Sequence, residues 1–173
     1  MRASRLAWLV VPALALAVDW ATKTWILHHL AMGGTRVIIP GFFNLAMGFN
    51  PGAIFGTLGT ASPWVRNTLF LLAGVAALVY FGWEFLREGT PPVQRLAMGL
   101  ILGGALGNGL DRFQHGAVVD FLDFVFWGWH YWTFNFADTF IVCGAILLSL
   151  AFLRQQVAQT RAERQDPGQE PRG

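Results

Sequence analysis

Charge is scarce in this chain: Asp, Glu, Lys and Arg make up 13% of its 173 residues, about half the roughly 25% of a soluble domain. With 54% hydrophobic residues, intrinsic disorder is excluded. There is one cysteine, Cys143, which rules out an internal disulfide and a zinc site built on several thiolates. A net charge of +2 is too small an excess for a nucleic-acid binder, and no such partner is expected. Tyrosine is rare as well, at two residues, but eight Trp and fifteen Phe stand beside twenty Gly. This composition is that of an integral membrane protein.

A crossing helix needs about 20 mostly apolar residues. Leu6 to about Leu27 is the first such run, interrupted only by Asp19 and Lys23. Asn67 to Leu86 is the second, Val93 to Gly109 a short Gly-rich third, and Phe136 to Leu153 the fourth. Four crossings put both termini on one side. Arg2, Arg5, Arg87, Arg95, Arg154, Arg161, Arg164 and Arg172 flank that side, against Lys23, Arg36, Arg66 and Arg112 on the other. The positive-inside rule then places both termini in the cytoplasm. Arg2, Arg5 and the Ala-rich stretch from Ala13 to Ala17 also resemble a signal peptide. The apolar run continues to Leu27, however, longer than the core of such a peptide.

One membrane unit is expected over residues 1–154, with a polar, frayed cytoplasmic tail over 155–173. The connection over 28–66 holds β-branched and aromatic pieces punctuated by Pro40-Gly41 and Pro51-Gly52, so short outer-side strands are expected there. Residues 110–135 form a second outer stretch, read as a loop. Its Trp127, Trp129, Tyr131 and Trp132 suit a membrane–water interface.

The ten acidic residues divide by side. Glu84, Glu88, Glu163, Asp166 and Glu170 lie at cytoplasmic ends, while Asp19, Asp111, Asp120, Asp123 and Asp138 all fall in the outer half. An ionisable group at membrane depth is costly and marks a functional site when a partner is at hand. Asp19 and Lys23, four apart on one helix face, read alone as a self-neutralising pair. Asp111-Arg112 closes a run of small residues, with Asn108 and Arg112 on one face; alone it reads as a solvated helix end. Asp120 has apolar neighbours on both sides, and Asp138 sits one turn into the fourth helix, where the backbone dipole favours a carboxylate.

Asp120 and Asp138 meeting at a protected edge would have a definite chemistry. Two carboxylates about 3 Å apart hold one proton between them. The ionised member takes a proton from water while the protonated one hydrogen-bonds a scissile carbonyl, which hydrolyses an amide with neither metal nor cofactor. Nucleophilic alternatives fit less well: Cys143 has no His in its segment, and His28, His29, His115 and His130 show no metal-ligand spacing beyond one adjacent pair. A proton-coupled transporter would also carry carboxylates at depth, but it predicts internal symmetry, and the halves of this chain are not alike. An assembly subunit whose carboxylates only meet partner charges would tolerate Asp→Asn changes.

Five pieces occur in order: Asp19-x-x-x-Lys23, Asn50-Pro51-Gly52-Ala53-Ile54-Phe55, Gly103-Gly104-Ala105-Leu106-Gly107-Asn108-x-x-Asp111-Arg112, Val118-Val119-Asp120-Phe121 and Phe134-Asn135-x-Ala137-Asp138. Together they resemble the motif series of the bacterial lipoprotein signal peptidases, over about residues 6–150. Only Pro51, inside the Asn-x-Gly piece, is a local departure. The resemblance implies four transmembrane helices with a small extracytoplasmic β-rich cradle. It implies an aspartic peptidase of the inner membrane, active near its periplasmic face and working as a monomer in membrane lipid. Its substrate would be a prolipoprotein, cut before a cysteine carrying diacylglycerol. By the same resemblance Asp120 and Asp138 are the catalytic pair. Asn108, Arg112 and Asn135 hold the pair or the substrate, and Asp19, Lys23, Asn50 and Gly52 line the site.

Overall fold

The first apolar run folds as a 3₁₀ turn, Arg5–Leu9, leading into helix α1, Val10–His29, in a computed structural model that describes residues 5–52 and 62–165. Arg2, the Ala53-Ile54-Phe55 end of the Asn50 motif, and Asp166, Glu170 and Arg172 of the tail lie outside the described residues. Helix α2, Pro63–Leu86, starts on a proline, whose missing N–H costs nothing in a first turn, and the Ser62 hydroxyl accepts from Val65 N at 3.4 Å. Helix α3 runs from Pro92 to His115, and α4 from Phe136 to Gln165.

Two of these helices outrun their expected ends. The third apolar run ends near Gly109 with Asp111-Arg112 as the expected helix end, and the helix carries both residues on to His115 and closes on Gly116, whose φ of 71° is the left-handed C-cap that glycine adopts freely. The fourth continues past Arg154 through Gln165, into the segment expected to fray.

Among the described residues, Leu6–His29 and Phe136–Ala162 are long and apolar enough to cross a membrane by themselves; the apolar part of α2 is the shorter Leu71–Leu86. Helix α3 packs on α1, α2 and α4 and so lies at the centre of the bundle. The burial pattern is inverted relative to a soluble protein. Leu14, Trp20, Leu71, Leu72, Val79, Trp83, Ile146 and Leu153 are exposed, whereas Asp19, Lys23, Asn108, Asp111, Asp120 and Asn135 are buried. Large exposed apolar surfaces of this kind suit lipid rather than water.

The glycines of α3 explain how it fits. A Cβ at Gly99 would meet Val11 and Phe85; at Gly103, Pro12 and Ala15; at Gly104, the Ala137 carbonyl oxygen and Ile141; and at Gly107, the Asp19 carboxylate. Small residues let backbones approach where no hydrophobic force between helices is available. Gly104→Ala is therefore expected to push away the first turn of α4 and to lower stability by about 1–3 kcal/mol, the usual cost of overpacking. Thermal unfolding checks this; an unchanged midpoint would show that the contact relaxes freely.

Arg95 also does more than supply one of the charges from which the topology was read. It is buried, and its Nε and Nη2 donate to the carbonyls of Phe85 at 3.0 Å and Arg87 at 2.9 Å. A cation thus satisfies the last carbonyls of α2 and opposes the negative end of its dipole.

The sheet is antiparallel, in the order β1 (Thr35–Ile39), β2 (Phe43–Asn50), β3 (Val118–Phe126) and β4 (Trp129–His130). Strands β1 and β2 arise from the connection where strands were expected. The stretch around Asp120, expected as a loop, is instead β3, so the sheet draws on both outer segments. The β2–β3 register sets Asn44 opposite Asp123, Gly48 opposite Asp120 and Asn50 opposite Val118, with an irregularity between Leu45 and Gly48. Met47, Phe121 and Leu122 pack with Ile26 of α1 into an apolar core, joined by Phe134 and Phe136. That core seats the sheet on the ends of α1 and α4.

Candidate active site

Asn135 is the cap of α4, and its position three residues before Asp138 builds a reciprocal capping box. The Asp138 N–H donates to Asn135 Oδ1 at 2.9 Å, and the Asn135 N–H faces Asp138 Oδ2 at 3.4 Å. The intervening Ala137 N–H donates at 2.8 Å to Asp19 Oδ1, which reaches across from α1. Three donors of this helix start, the N–H groups of Asn135, Ala137 and Asp138, are thus met by side chains of the motif residues themselves. Asp138 is a capping carboxylate, as its dipole-favoured position suggested, and it also joins a wider network.

Because the Asn135 oxygen is occupied, its Nδ2 must face the other way. It points at Asp120 Oδ1 (2.8 Å), Asn108 Oδ1 (3.2 Å) and Val119 O (3.2 Å), three acceptors for two hydrogens. One residue therefore contacts both carboxylates of the expected pair, Asp120 through its side-chain amide and Asp138 through its backbone N–H. Strand β3 is tied to the same spot, since Phe121 N and Leu122 N both donate to Phe134 O, at 3.0 and 2.8 Å.

The orientation of the other two amides is fixed by the same logic. Lys23 can only donate, and its Nζ lies 3.1 Å from Asn108 Oδ1. Asn108 Nδ2 must then turn to Asp138 Oδ1, at 2.7 Å. Asn50 Oδ1 accepts from Gly52 N at 2.9 Å, leaving Asn50 Nδ2 to donate to Asp120 Oδ2 at 2.9 Å. Gly52 has a φ of 96°, so glycine is what allows this turn after Pro51.

Lys23 lies within 2.7 Å of Asp19 Oδ2 and 2.8 Å of Asp111 Oδ2, all three side chains being nearly or wholly buried. The Asp19–Lys23 pair is not self-contained, because each member also reaches another helix. Asp111 was not among the expected site residues; besides Lys23 it accepts from Val119 N at 3.0 Å. Its three-residue spacing from Asn108 on one helix face was the available signal. Arg112 donates to Asn108 O at 3.1 Å, and its charge acts on Asp138, Asp120 and Asp111. All nine expected site residues thus lie in one connected network. Cys143 is apart from it and exposed on α4.

Asp120 is the more deeply placed carboxylate, at 2% exposure. Burial raises its pKa to about 6, opposed by the Asn50 and Asn135 hydrogen bonds and by Lys23, and reinforced by the charge of Asp138. Asp123, on the same strand, belongs to a separate cluster: it accepts from Asn44 at 2.8 Å and contacts His130 Nδ1 at 2.9 Å. Asn44 and His130 were not expected partners.

Fold and site together define a lipid-facing helical protein that keeps a pair of carboxylates in a buried polar network beside a small sheet. Residues 11–154 match the sequence model of the family described as Signal peptidase (SPase) II. The chain belongs to the signal peptidase II family and is a peptidase. It is 41% identical over 148 residues to the lipoprotein signal peptidase of Burkholderia vietnamiensis (strain G4 / LMG 22486), covering 86% of this chain and 88% of that one. It is 38% identical over 157 residues to the lipoprotein signal peptidase of Polynucleobacter necessarius subsp. necessarius (strain STIR1), covering 91% and 95%. Two solved structures described as a bacterial membrane enzyme are similar. One, at 1.9 Å resolution, has a TM-score of 0.75 and 29% identity over 85% of this chain and 92% of its own; the other, at 2.3 Å, has 0.76 and 28% over 87% and 89%.

Proposed function

We propose that this peptidase is an aspartic endopeptidase of the bacterial inner membrane that removes the signal peptide from prolipoproteins, cutting before the diacylglyceryl-modified cysteine. The observation that carries the reading is the Asn135 side chain, whose amide contacts Asp120 while its oxygen caps the turn bearing Asp138. In this reading the pair holds one proton, on Asp120, and Asp138 is the base. Asp138 takes a proton from water, the water oxygen attacks the scissile carbonyl carbon, and the Asp120 carboxyl hydrogen-bonds the developing oxyanion. As the intermediate collapses, the C–N bond breaks and the leaving nitrogen takes up the proton held by Asp138. Asn108, Asn135 and Asn50 hold the two carboxylates, Asp19 and Lys23 brace Asn108 and the start of α4, and Gly52 shapes the Asn50 turn. Arg112 supplies a fixed positive charge beside the pair.

All four helices cross the membrane in this reading, with α3 shielded by the other three and both termini cytoplasmic. The Arg95 cap then lies at the cytoplasmic end and the carboxylates at the periplasmic end. The enzyme acts as a monomer, and its substrate enters sideways from lipid. Acyl chains on the cysteine keep the precursor in the bilayer at about 0.8 kcal/mol per buried CH₂. The test is cleavage by the purified chain, in lipid, of matched precursors with and without the diacylglyceryl group. Only the lipidated one is expected to be cut, at the bond before the cysteine; equal cutting of both, or of neither, would overturn the reading.

The raised Asp120 carboxyl also sets a pH dependence. A proton needed for catalysis and lost with a pKa of about 6 makes kcat/KM fall above that pH, approaching tenfold per unit. A kcat/KM profile that stays flat from about pH 6 to 9 would remove Asp120 as the acid.

A further inference from the structure

Most glycines near the site are explained by the fold. Gly52 and Gly116 hold positive φ, and Gly99, Gly103, Gly104 and Gly107 face backbone or side chains too close for a Cβ. Gly48 fits neither account: its φ is not positive, and a Cβ built on it would meet nothing within 4 Å among the described residues. A side chain is admissible there on backbone and on packing grounds, and the sequence carries none.

Its position gives the absence a meaning. Gly48 is the β2 residue directly opposite Asp120 in the β2–β3 register. Side chains two apart on a strand share a face. Asn50, two residues on, donates to Asp120 Oδ2 at 2.9 Å, so Gly48 lies on the face that carries that carboxylate. Met47, on the alternate face, is in the apolar core. Asp120 itself is only 2% exposed, whereas Gly48 is partly exposed, so open space reaches toward the carboxylate over a residue that has no side chain.

We infer that Gly48 is a specificity-determining residue: the space above it receives the side chain of a substrate residue flanking the scissile bond, and the missing Cβ sets how large that side chain can be. This rests on Asp120 acting at the scissile bond, as proposed above. A scissile carbonyl at hydrogen-bonding distance from Asp120 brings the flanking residues within a few ångströms of the opposing strand position. An added Cβ at 48 fills volume that substrate would occupy without touching any described neighbour.

The test compares the intact enzyme with Gly48→Ala and Gly48→Leu, in lipid, on lipidated precursors in which each of the two residues before the cut runs through Gly, Ala, Val and Leu. The expected result is a graded loss confined to one flanking position. Gly48→Leu should lose at least about tenfold in kcat/KM on the bulkier residues, in line with one to a few methylenes of steric exclusion, while still cutting the Gly precursor. Gly48→Ala should show the same order with a smaller loss, which keeps the test decisive if the leucine variant does not fold. A uniform loss across the series, or unchanged selectivity in Gly48→Ala, would overturn the inference. Failure of the unaltered enzyme to cut any precursor would instead overturn the reading of the site on which it rests.

Discussion

Asp138→Asn is expected to lower cleavage of a lipidated precursor by about 10⁴-fold while leaving the fold in place, because it removes the proposed base but little of the structure. The new side chain keeps one oxygen, which can accept the strong 2.7 Å bond from Asn108 Nδ2. Its NH₂ then faces the Asn135 N–H, whose contact with Asp138 is only 3.4 Å long. Asp120→Asn is expected to abolish cleavage too, but it is the less clean probe. Both Asp120 oxygens receive amide donors, from Asn135 at 2.8 Å and Asn50 at 2.9 Å. Neither amide can turn over without giving up the bond its own oxygen accepts, from Asp138 N or Gly52 N. An Asn at 120 therefore sets donor against donor, and some loss of stability should accompany the loss of rate. The checks are single-turnover cleavage and thermal unfolding of both variants in the same lipid. A folded Asp138→Asn enzyme retaining more than about a tenth of the original rate would sink the pair as the catalytic centre.

The sequence made the helices legible because lipid enforces a simple rule, long apolar runs, which α1 and α4 obey without help. Helix α3 was harder, since Asn108, Asp111 and Arg112 are unlike a lipid-facing surface; it is helical to His115 because other helices surround it and its polar groups find partners there. Strand β3 reads from sequence as a loop although Val118–Phe126 is rich in β-branched and aromatic residues. Its two aspartates obscured the pattern, and both are buried against cross-strand amides. The candidate carboxylates could be singled out because charge is so rare here. Their supports could be named only as motif members, for the contacts that matter join positions far apart in the chain. Asp19 with Ala137 N, and Lys23 with Asn108 and Asp111, have no local spacing to betray them.

Lys23→Met separates stability from positioning. Removing the cation that bridges Asp19 and Asp111 leaves two buried carboxylates without this ion-pair partner, a loss of about 3–5 kcal/mol for a buried pair. It also releases Asn108. Without an ammonium 3.1 Å from its oxygen, only the 3.2 Å contact from Asn135 and its own 2.7 Å bond to Asp138 hold the amide in place. Cleavage is therefore expected to fall about 10²-fold beyond what lost stability explains, the scale set by a misplaced catalytic group. The double variant Lys23→Met/Asp111→Asn tells the two effects apart. Asn at 111 removes one of the stranded charges and keeps an oxygen for the Val119 N–H, so much of the stability should return. The rate should not, because Asn108 remains unbraced. Thermal unfolding and single-turnover rates of the single and double variants make the comparison. If the double variant regains both stability and rate, Lys23 serves only to neutralise its neighbours, and the orientation of Asn108 is set by the carboxylates and Asn135 alone.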